Sequence, residues 1–127
     1  MCPLHPRTRK ALTGLGPRRW PRDLSLIDPV PYLDMLPLLQ SANLVLTDSG
    51  GVQKEAFILQ VPCLTLRDQT EWVETVEAGW NTLVGTDKDT IVRRARALID
   101  HGPPPVIPVP YGDGRAAERI VEVLMRA

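Results

Sequence analysis

The chain alternates short apolar runs with longer segments whose apolar residues recur at helical spacing. The short runs are continuous rather than alternating with polar residues, which is typical of strands buried on both faces of a parallel sheet. We predict strands at residues 24–27, 44–46, 62–66 and 81–84. A strand–helix alternation of this kind predicts an α/β protein with a Rossmann-like parallel sheet covered by helices.

Six segments have the spacing of helices, at residues 8–12, 32–41, 51–60, 72–78, 88–100 and 114–126. Pro37 lies inside the second, so we expect a kink or an early break there. Asp87 or Asp89 is expected to cap the fifth. Residues 103–110 are proline-rich and predicted to be extended. In the last helix we expect four apolar side chains to face inward: Ala117, Ile120, Val121 and Leu124.

The turn at residues 47–51 lies between a predicted strand and a predicted helix. Ser49 or Asp48 is placed to cap that helix. Gly50 and Gly51 lack a Cβ, so a ligand can approach the backbone closely, and the unpaired N–H groups of a helix start suit a phosphate. Glu55 follows about one turn later, where a carboxylate could accept from paired sugar hydroxyls. Taken alone, the same residues are equally consistent with a structural βα turn and an exposed helical glutamate.

A polar loop at residues 67–71 follows the third predicted strand. In a structural interpretation, Thr70 or Asp68 caps the next helix and Arg67 pairs with a nearby acid. In a functional interpretation, the loop is a lid near a ligand. Ligands of open parallel sheets bind at the carboxyl ends of the strands, where this loop and the turn at 47–51 are both expected.

Composition narrows the class of protein. The chain has 127 residues, 13 prolines, 9 glycines, no net charge and a pI near 6.7, which is typical of one soluble domain and does not favour a nucleic-acid binder. A basic cluster between Arg7 and Arg22 is interpreted as a solvated segment, with a phosphate-binding patch as the alternative. No apolar run is long enough to span a membrane, and no signal peptide is recognised, so we expect a cytoplasmic protein.

The cysteines and histidines of the sequence offer little support for a metal site or a redox centre. Cys2 and Cys63 are far apart in sequence and lack a metal-binding spacing, so we predict two reduced thiols. His5 and His101 are not spaced as a metal pair. We therefore predict no metal site.

Several motifs, taken in order, carry a family resemblance. The most specific are Ser-Gly-Gly-Val-Gln-Lys-Glu-Ala at 49–56 and Arg-Asp-Gln-Thr-Glu-Trp at 67–72; His-Pro-Arg-Thr at 5–8, Tyr-Leu-Asp-Met at 32–35, Glu-Ala-Gly-Trp-Asn at 77–81 and Pro-Tyr-Gly-Asp-Gly at 110–114 accompany them. Together they resemble the C-terminal half of the non-hydrolysing UDP-N-acetylglucosamine 2-epimerases, over nearly the whole chain.

The resemblance implies a glycosyltransferase-B type fold of two Rossmann-like domains, a UDP-sugar ligand and a homodimer in the full-length family. Residues 1–127 would be an incomplete C-terminal, UDP-binding domain. The implied reaction converts UDP-GlcNAc to UDP-ManNAc by elimination and re-addition of UDP, in cell-surface polysaccharide biosynthesis. By the resemblance, it needs no cofactor, neither a metal nor a nicotinamide. By the resemblance, Ser49, Gly50 and Gly51 bind the diphosphate, Glu55 holds the ribose, and Met35 belongs to the segment beside the uracil.

The chain also departs from the family pattern. The family's catalytic carboxylates lie in an N-terminal domain that these residues do not include, so no catalytic residue is assigned and we expect the chain alone to be inactive. Trp72 and Val73 replace a common Arg-Pro pair, and Val109 replaces an asparagine. Two alternatives stay open: a 2-epimerase of a UDP-diacetamido-uronic acid, and a non-catalytic UDP-binding remnant or subunit.

Overall fold

The computed structural model describes residues 1–14, 16, 20–102 and 111–126. They form two compact units, Met1–Leu38 and Leu39–Ala127. The predicted extended segment at 103–110 and Val109 lie outside the described residues, as do Arg18 and Arg19 of the basic cluster.

The first unit contains a two-stranded parallel sheet and a helix. Strand β1 (Cys2–Pro3) pairs with β2 (Leu26–Ile27), and helix α1 (Pro6–Gly14) follows β1. The Arg9 guanidinium donates to the Asp28 carboxylate at 2.8 Å and to the Ile27 carbonyl at 3.3 Å. This pair ties α1 to the turn after β2.

Helix α2 (Tyr32–Gln40) contains Pro37 and continues past it, so an early break does not occur. Proline lacks the N–H that would bond to the carbonyl of Leu33, four residues earlier. Leu33 is strongly exposed, and water can therefore satisfy that carbonyl.

The second unit is built on a three-stranded parallel sheet in the order β3 (Val45–Thr47), β4 (Cys63–Thr65), β5 (Asn81–Leu83). Val45, Cys63 and Asn81 are aligned across it. Every residue of β4, the central strand, is buried, as its continuous apolar run predicts. Helices α3 (Gly50–Ile58), α4 (Val73–Glu77), α5 (Lys88–His101) and α6 (Ala116–Arg126) complete the unit.

The ends of α4 and α5 follow from local sequence. Asp87 is the N-cap of α5, and its carboxylate accepts from the Thr90 backbone N–H at 2.8 Å. This confirms the predicted cap. Gly79, just after α4, has a φ of 76° and Gly102, just after α5, has the same value, a conformation that favours glycine. Both helices therefore end just before a glycine with positive φ.

The prediction that four apolar side chains of α6 face inward is wrong. Ile120, Val121 and Leu124 are 59%, 54% and 69% exposed, and Ala117 is exposed as well. Helical spacing marks an apolar face, but burial requires a second element packed against that face. Within the described residues, this face remains open to solvent.

Candidate functional site

The turn between β3 and α3 has the local geometry of a helix start. Ser49 is the N-cap residue of α3, with extended backbone angles, and its backbone carbonyl accepts from Gln53 N–H. Its hydroxyl makes no capping hydrogen bond, so the expectation that a side chain caps this helix is wrong. Instead, the Thr47 hydroxyl accepts from the Ser49 N–H at 3.1 Å. This hydrogen bond closes the turn that precedes the helix.

The two glycines lie where other side chains converge. A Cβ on Gly50 would stand 3.3 Å from Trp72 Nε1 and 3.6 Å from a carboxylate oxygen of Glu71. A Cβ on Gly51 would stand 3.8 Å from Glu55 Oε1 and 3.9 Å from Ser49 Oγ. The structure therefore brings four of the five predicted site residues together at the start of α3: Ser49, Gly50, Gly51 and Glu55.

The fifth predicted residue, Met35, lies on α2 in the first unit and is half-buried. Its assignment beside a base stays a prediction. The ligand roles of the other four are predictions of the same standing, because their proximity shows a shared location and not a bound molecule.

The loop after β4 carries the ion pair that the structural interpretation predicted. Arg67 Nη1 donates to both carboxylate oxygens of Glu71, at 3.2 and 3.3 Å. A hydrogen bond from its own backbone N–H, followed by those from Arg67, lowers the pKa of the Glu71 carboxyl. Glu71 is therefore a stable carboxylate close to the first residue of α3.

Thr70 and Asp68 act differently from simple helix caps. The N-cap of α4 is Trp72, without a side-chain cap, and the Thr70 hydroxyl accepts from the Trp72 N–H at 3.1 Å. Asp68 reaches the next loop instead, where its Oδ1 stands 2.8 Å from the position a Cβ would take on Gly85. Since Gly85 also has a φ of 59°, a larger residue there would be both strained and in collision with Asp68.

Beneath these loops lies a buried polar network that the sequence analysis missed. Asn81 accepts from the Thr65 hydroxyl at 2.8 Å and donates to Gln53 Oε1 and Thr75 Oγ1, each at 3.2 Å. Gln53 Oε1 also accepts from Thr70 Oγ1 at 2.6 Å. The network joins α3, β4, β5 and the loop after β4. The signal that could have found it is a polar residue inside an apolar run, at Thr65 and Asn81.

One lysine and three aromatic side chains contact one another beside α3. Lys54 Nζ lies 4.4 Å from the Trp72 ring centroid and 4.6 Å from that of Tyr111. Phe57 meets Tyr111 edge to face at 5.6 Å. Burial, and then the nearby Glu74 carboxylate, raises the pKa of Tyr111 to about 12. Trp72 therefore contacts both Lys54 on α3 and Tyr111, and its indole Nε1 lies close to Gly50.

No cluster of three histidine, cysteine or acidic side chains in the described part of the chain could hold a metal ion. None of the described helices is long and apolar enough to cross a membrane.

Comparisons with known proteins agree over almost the whole chain. The sequence model described as UDP-N-acetylglucosamine 2-epimerase matches residues 1–125. A UDP-2,3-diacetamido-2,3-dideoxy-D-glucuronate 2-epimerase of Pseudomonas aeruginosa is 50% identical over 99% of this chain and 34% of its own length. A UDP-N-acetylglucosamine 2-epimerase of Methanocaldococcus jannaschii is 44% identical over 95% of this chain and 33% of its own.

Solved structures show the same relation. The UDP-GlcNAc 2-epimerase of Methanocaldococcus jannaschii in complex with UDP-GlcNAc and UDP superposes with a TM-score of 0.82 at 41% identity, over 98% of this chain and 35% of that one. The Neisseria meningitidis UDP-GlcNAc 2-epimerase bound to UDP-GlcNAc gives 0.75 at 36% identity, with the same coverage. The predicted α/β fold with parallel strands is confirmed, and the chain spans about a third of the length of these relatives.

Proposed function

Because the chain belongs to the UDP-N-acetylglucosamine 2-epimerase family, we propose that it is the UDP-binding part of an enzyme that interconverts UDP-GlcNAc and UDP-ManNAc. In this proposal residues 1–127 belong to the C-terminal domain of a glycosyltransferase-B type fold. The catalytic acid and base groups lie outside these residues, in an N-terminal domain. The full-length protein is a cytoplasmic homodimer.

The observation that carries the proposal is the convergence of four residues at the start of α3. The diphosphate binds at the N–H groups of Gly50 and Gly51, where the helix dipole favours negative charge. The Ser49 hydroxyl, which makes no capping bond, is free to donate to a phosphate oxygen. Glu55 stands within reach of Gly51 and accepts from the two ribose hydroxyls. Met35 lies beside the uracil.

The reaction gives this site a defined task. Elimination removes the proton at C2 and breaks the bond from C1 to UDP, which leaves with the bonding electrons and gains negative charge. Fixed N–H donors at the turn stabilise that charge as it develops. Re-addition of UDP and reprotonation at C2 from the other face complete the epimerisation. Both proton transfers require a positioned acid or base, so the chain alone binds UDP without turning over its sugar.

Calorimetric titration of UDP tests the site. We expect the chain to bind UDP and a Gly50→Asp variant to lose at least about tenfold in affinity, because the added carboxylate meets Trp72 and Glu71 and repels the diphosphate. Gly14→Asp is the matched control: it adds the same charge where nothing lies within 4 Å of the new Cβ. Equal UDP affinity in wild type and Gly50→Asp, both folded by circular dichroism, would remove the claim.

A coupled assay for UDP-ManNAc tests the division of labour between the domains. We expect no turnover from the purified chain. Turnover comparable to that of a full-length family member would place the acid and base groups within these 127 residues and overturn the proposal.

A second substrate is favoured by one observation, the 50% identity to the Pseudomonas aeruginosa diacetamido-glucuronate epimerase. In this alternative the turn binds the same UDP group, and the chain belongs to an enzyme that epimerises a UDP-diacetamido-uronic acid. Assaying both UDP-sugars on the chain joined to the N-terminal domain of a relative distinguishes the two. UDP binding without activity toward either sugar would instead favour a non-catalytic UDP-binding subunit.

A further inference from the structure

The start of α3 already has an anion next to it. Both carboxylate oxygens of Glu71 lie within 4 Å of the position that a Cβ would take on Gly50, at 3.6 and 3.8 Å. Glu71 comes from the loop after β4, so this approach is a tertiary contact and not a local turn. A carboxylate is stabilised near a helix N-terminus for the same reason as a phosphate.

Resting on the proposed function, we propose that Glu71 is an internal competitor of the diphosphate: it occupies the start of α3 in the ligand-free chain and withdraws when UDP binds. The competition follows from charge. A carboxylate and a diphosphate near the same helix end repel each other, and a site with two like charges disfavours both. One of them has to leave.

Glu71 is the group that can move. Its side chain is 58% exposed and belongs to an irregular loop, so it can withdraw by a change of side-chain rotamer that breaks its bonds to its own backbone N–H and to Arg67. Its partner Arg67 uses one nitrogen, Nη1, for both carboxylate oxygens, rather than the two-nitrogen fork of the strongest pairs. Withdrawal of Glu71 leaves the Arg67 guanidinium without this counter-charge as the diphosphate arrives, so the positive charge of Arg67 is no longer neutralised by a neighbouring carboxylate.

The side chain of Trp72 indicates that Glu71 does not satisfy every hydrogen-bond donor at the start of α3. Its indole Nε1 stands 3.3 Å from the same point on Gly50, and it is buried without a hydrogen-bond partner among the described residues. Buried donors are nearly always paired. The nearby carboxylate does not accept from it, whereas a phosphate oxygen at the turn would be within its range. In the ligand-free chain, Glu71 therefore stands in for a phosphate group but leaves one hydrogen-bond donor of the site unpaired.

The consequence is a weakened affinity for the diphosphate. Every UDP that binds has to displace Glu71, so the carboxylate lowers UDP affinity and favours release. A ligand without phosphate does not compete with Glu71 and is unaffected. Glu71 thus tunes how the site discriminates between nucleotide and nucleoside.

The test compares Glu71→Gln with Glu77→Gln, which removes the same charge from an exposed position on α4. UDP and uridine are titrated by calorimetry into wild type and both variants at low salt. We expect Glu71→Gln to bind UDP roughly twofold to fivefold more tightly, because UDP no longer has to displace a carboxylate that the helix N-terminus stabilises. Glu77→Gln should match wild type, and uridine affinity should be the same in all three. Glu71→Ala, which removes the carboxylate without replacing it, should repeat the gain.

The measured affinities distinguish a failure of the Glu71 role from a failure of UDP binding itself. UDP affinity that is equal or weaker in both Glu71 variants overturns the competitor role, as does an equal gain in Glu77→Gln, which would reflect long-range charge alone. If wild type binds UDP and Gly50→Asp abolishes it, the proposed function stands even then. If wild type shows no UDP binding at all, the proposed function itself fails.

Discussion

The centre of the second unit and its last helix reverse the usual distribution of polarity. In the centre of the second unit, around the pair of strands β4 and β5, four polar residues are buried: Gln53, Thr65, Thr75 and Asn81. On α6, by contrast, apolar residues are more than half exposed: Ile120, Val121, Val123, Leu124 and Met125. Buried polar side chains need satisfied hydrogen bonds, and exposed apolar ones need no partner to persist.

The difference shows which region the described residues complete by themselves. In the centre, Asn81 pairs with three neighbours, and the network holds α3 and the loop after β4 in one arrangement. That arrangement places Glu71 and Trp72 against Gly50. The apolar face of α6 takes no comparable part in burial. Substitutions in the two regions should therefore have very different effects on stability.

Among substitutions of polar residues, the largest effect is expected from Asn81→Ala. Loss of the amide removes the acceptor of the Thr65 hydroxyl and the donor to Gln53 Oε1 and Thr75 Oγ1, and buried groups in a shared network lose more than a single bond. We expect the free energy of unfolding to fall by about 2–4 kcal/mol, measured by urea denaturation. Asn43→Ala, at an exposed position, is the control and should stay within about 0.5 kcal/mol. Equal losses in both would show that the network does not organise the centre.

The pH dependence of stability gives a second measure of the same region. Burial raises the pKa of the Cys63 thiol, on β4, from 9.0 to about 11. Well below pH 9 the thiol is protonated in both the folded and the unfolded state. Between pH 9 and 11 it ionises first in the unfolded chain, so the free energy of unfolding should fall by about 2–3 kcal/mol.

Denaturation from pH 8 to 11 checks this, with each variant compared with wild type. Cys63→Ala should lose this part of the pH dependence, whereas Cys2→Ala, at the half-buried second cysteine, should keep it. A Cys63→Ala variant with the wild-type slope would show that other groups cause the loss at high pH.

The smallest effect is expected on α6. Leu124→Ala removes apolar surface that is already exposed, so the free energy of unfolding should change by less than about 0.5 kcal/mol. The same change at Leu64, fully buried on β4, should reduce it by about 2–5 kcal/mol. Urea denaturation of both variants checks the contrast. A large loss in Leu124→Ala would mean that α6 is packed in solution, and the comparison between the regions would fail.

Local features were predictable and long-range ones were not. The strands of the second unit appear within two residues of their predicted positions, because continuous apolar runs report burial directly. The α5 cap at Asp87 was predictable for a similar reason, since it involves residues three apart. The orientation of α6, the uncapped Ser49 and the network around Asn81 all depend on neighbours distant in sequence, and there the predictions were wrong or absent.

The amino-acid sequence by itself determined the order of elements, the glycine turn before α3 and, through its motifs, membership of the family. Only the tertiary structure decided what stands against that turn. Glu71 and Trp72 reach Gly50, and Asp68 reaches Gly85, because β3, β4 and β5 pair in parallel register and bring successive loops to one edge of the sheet. No local preference encodes such contacts, since they arise from the packing of segments some twenty residues apart.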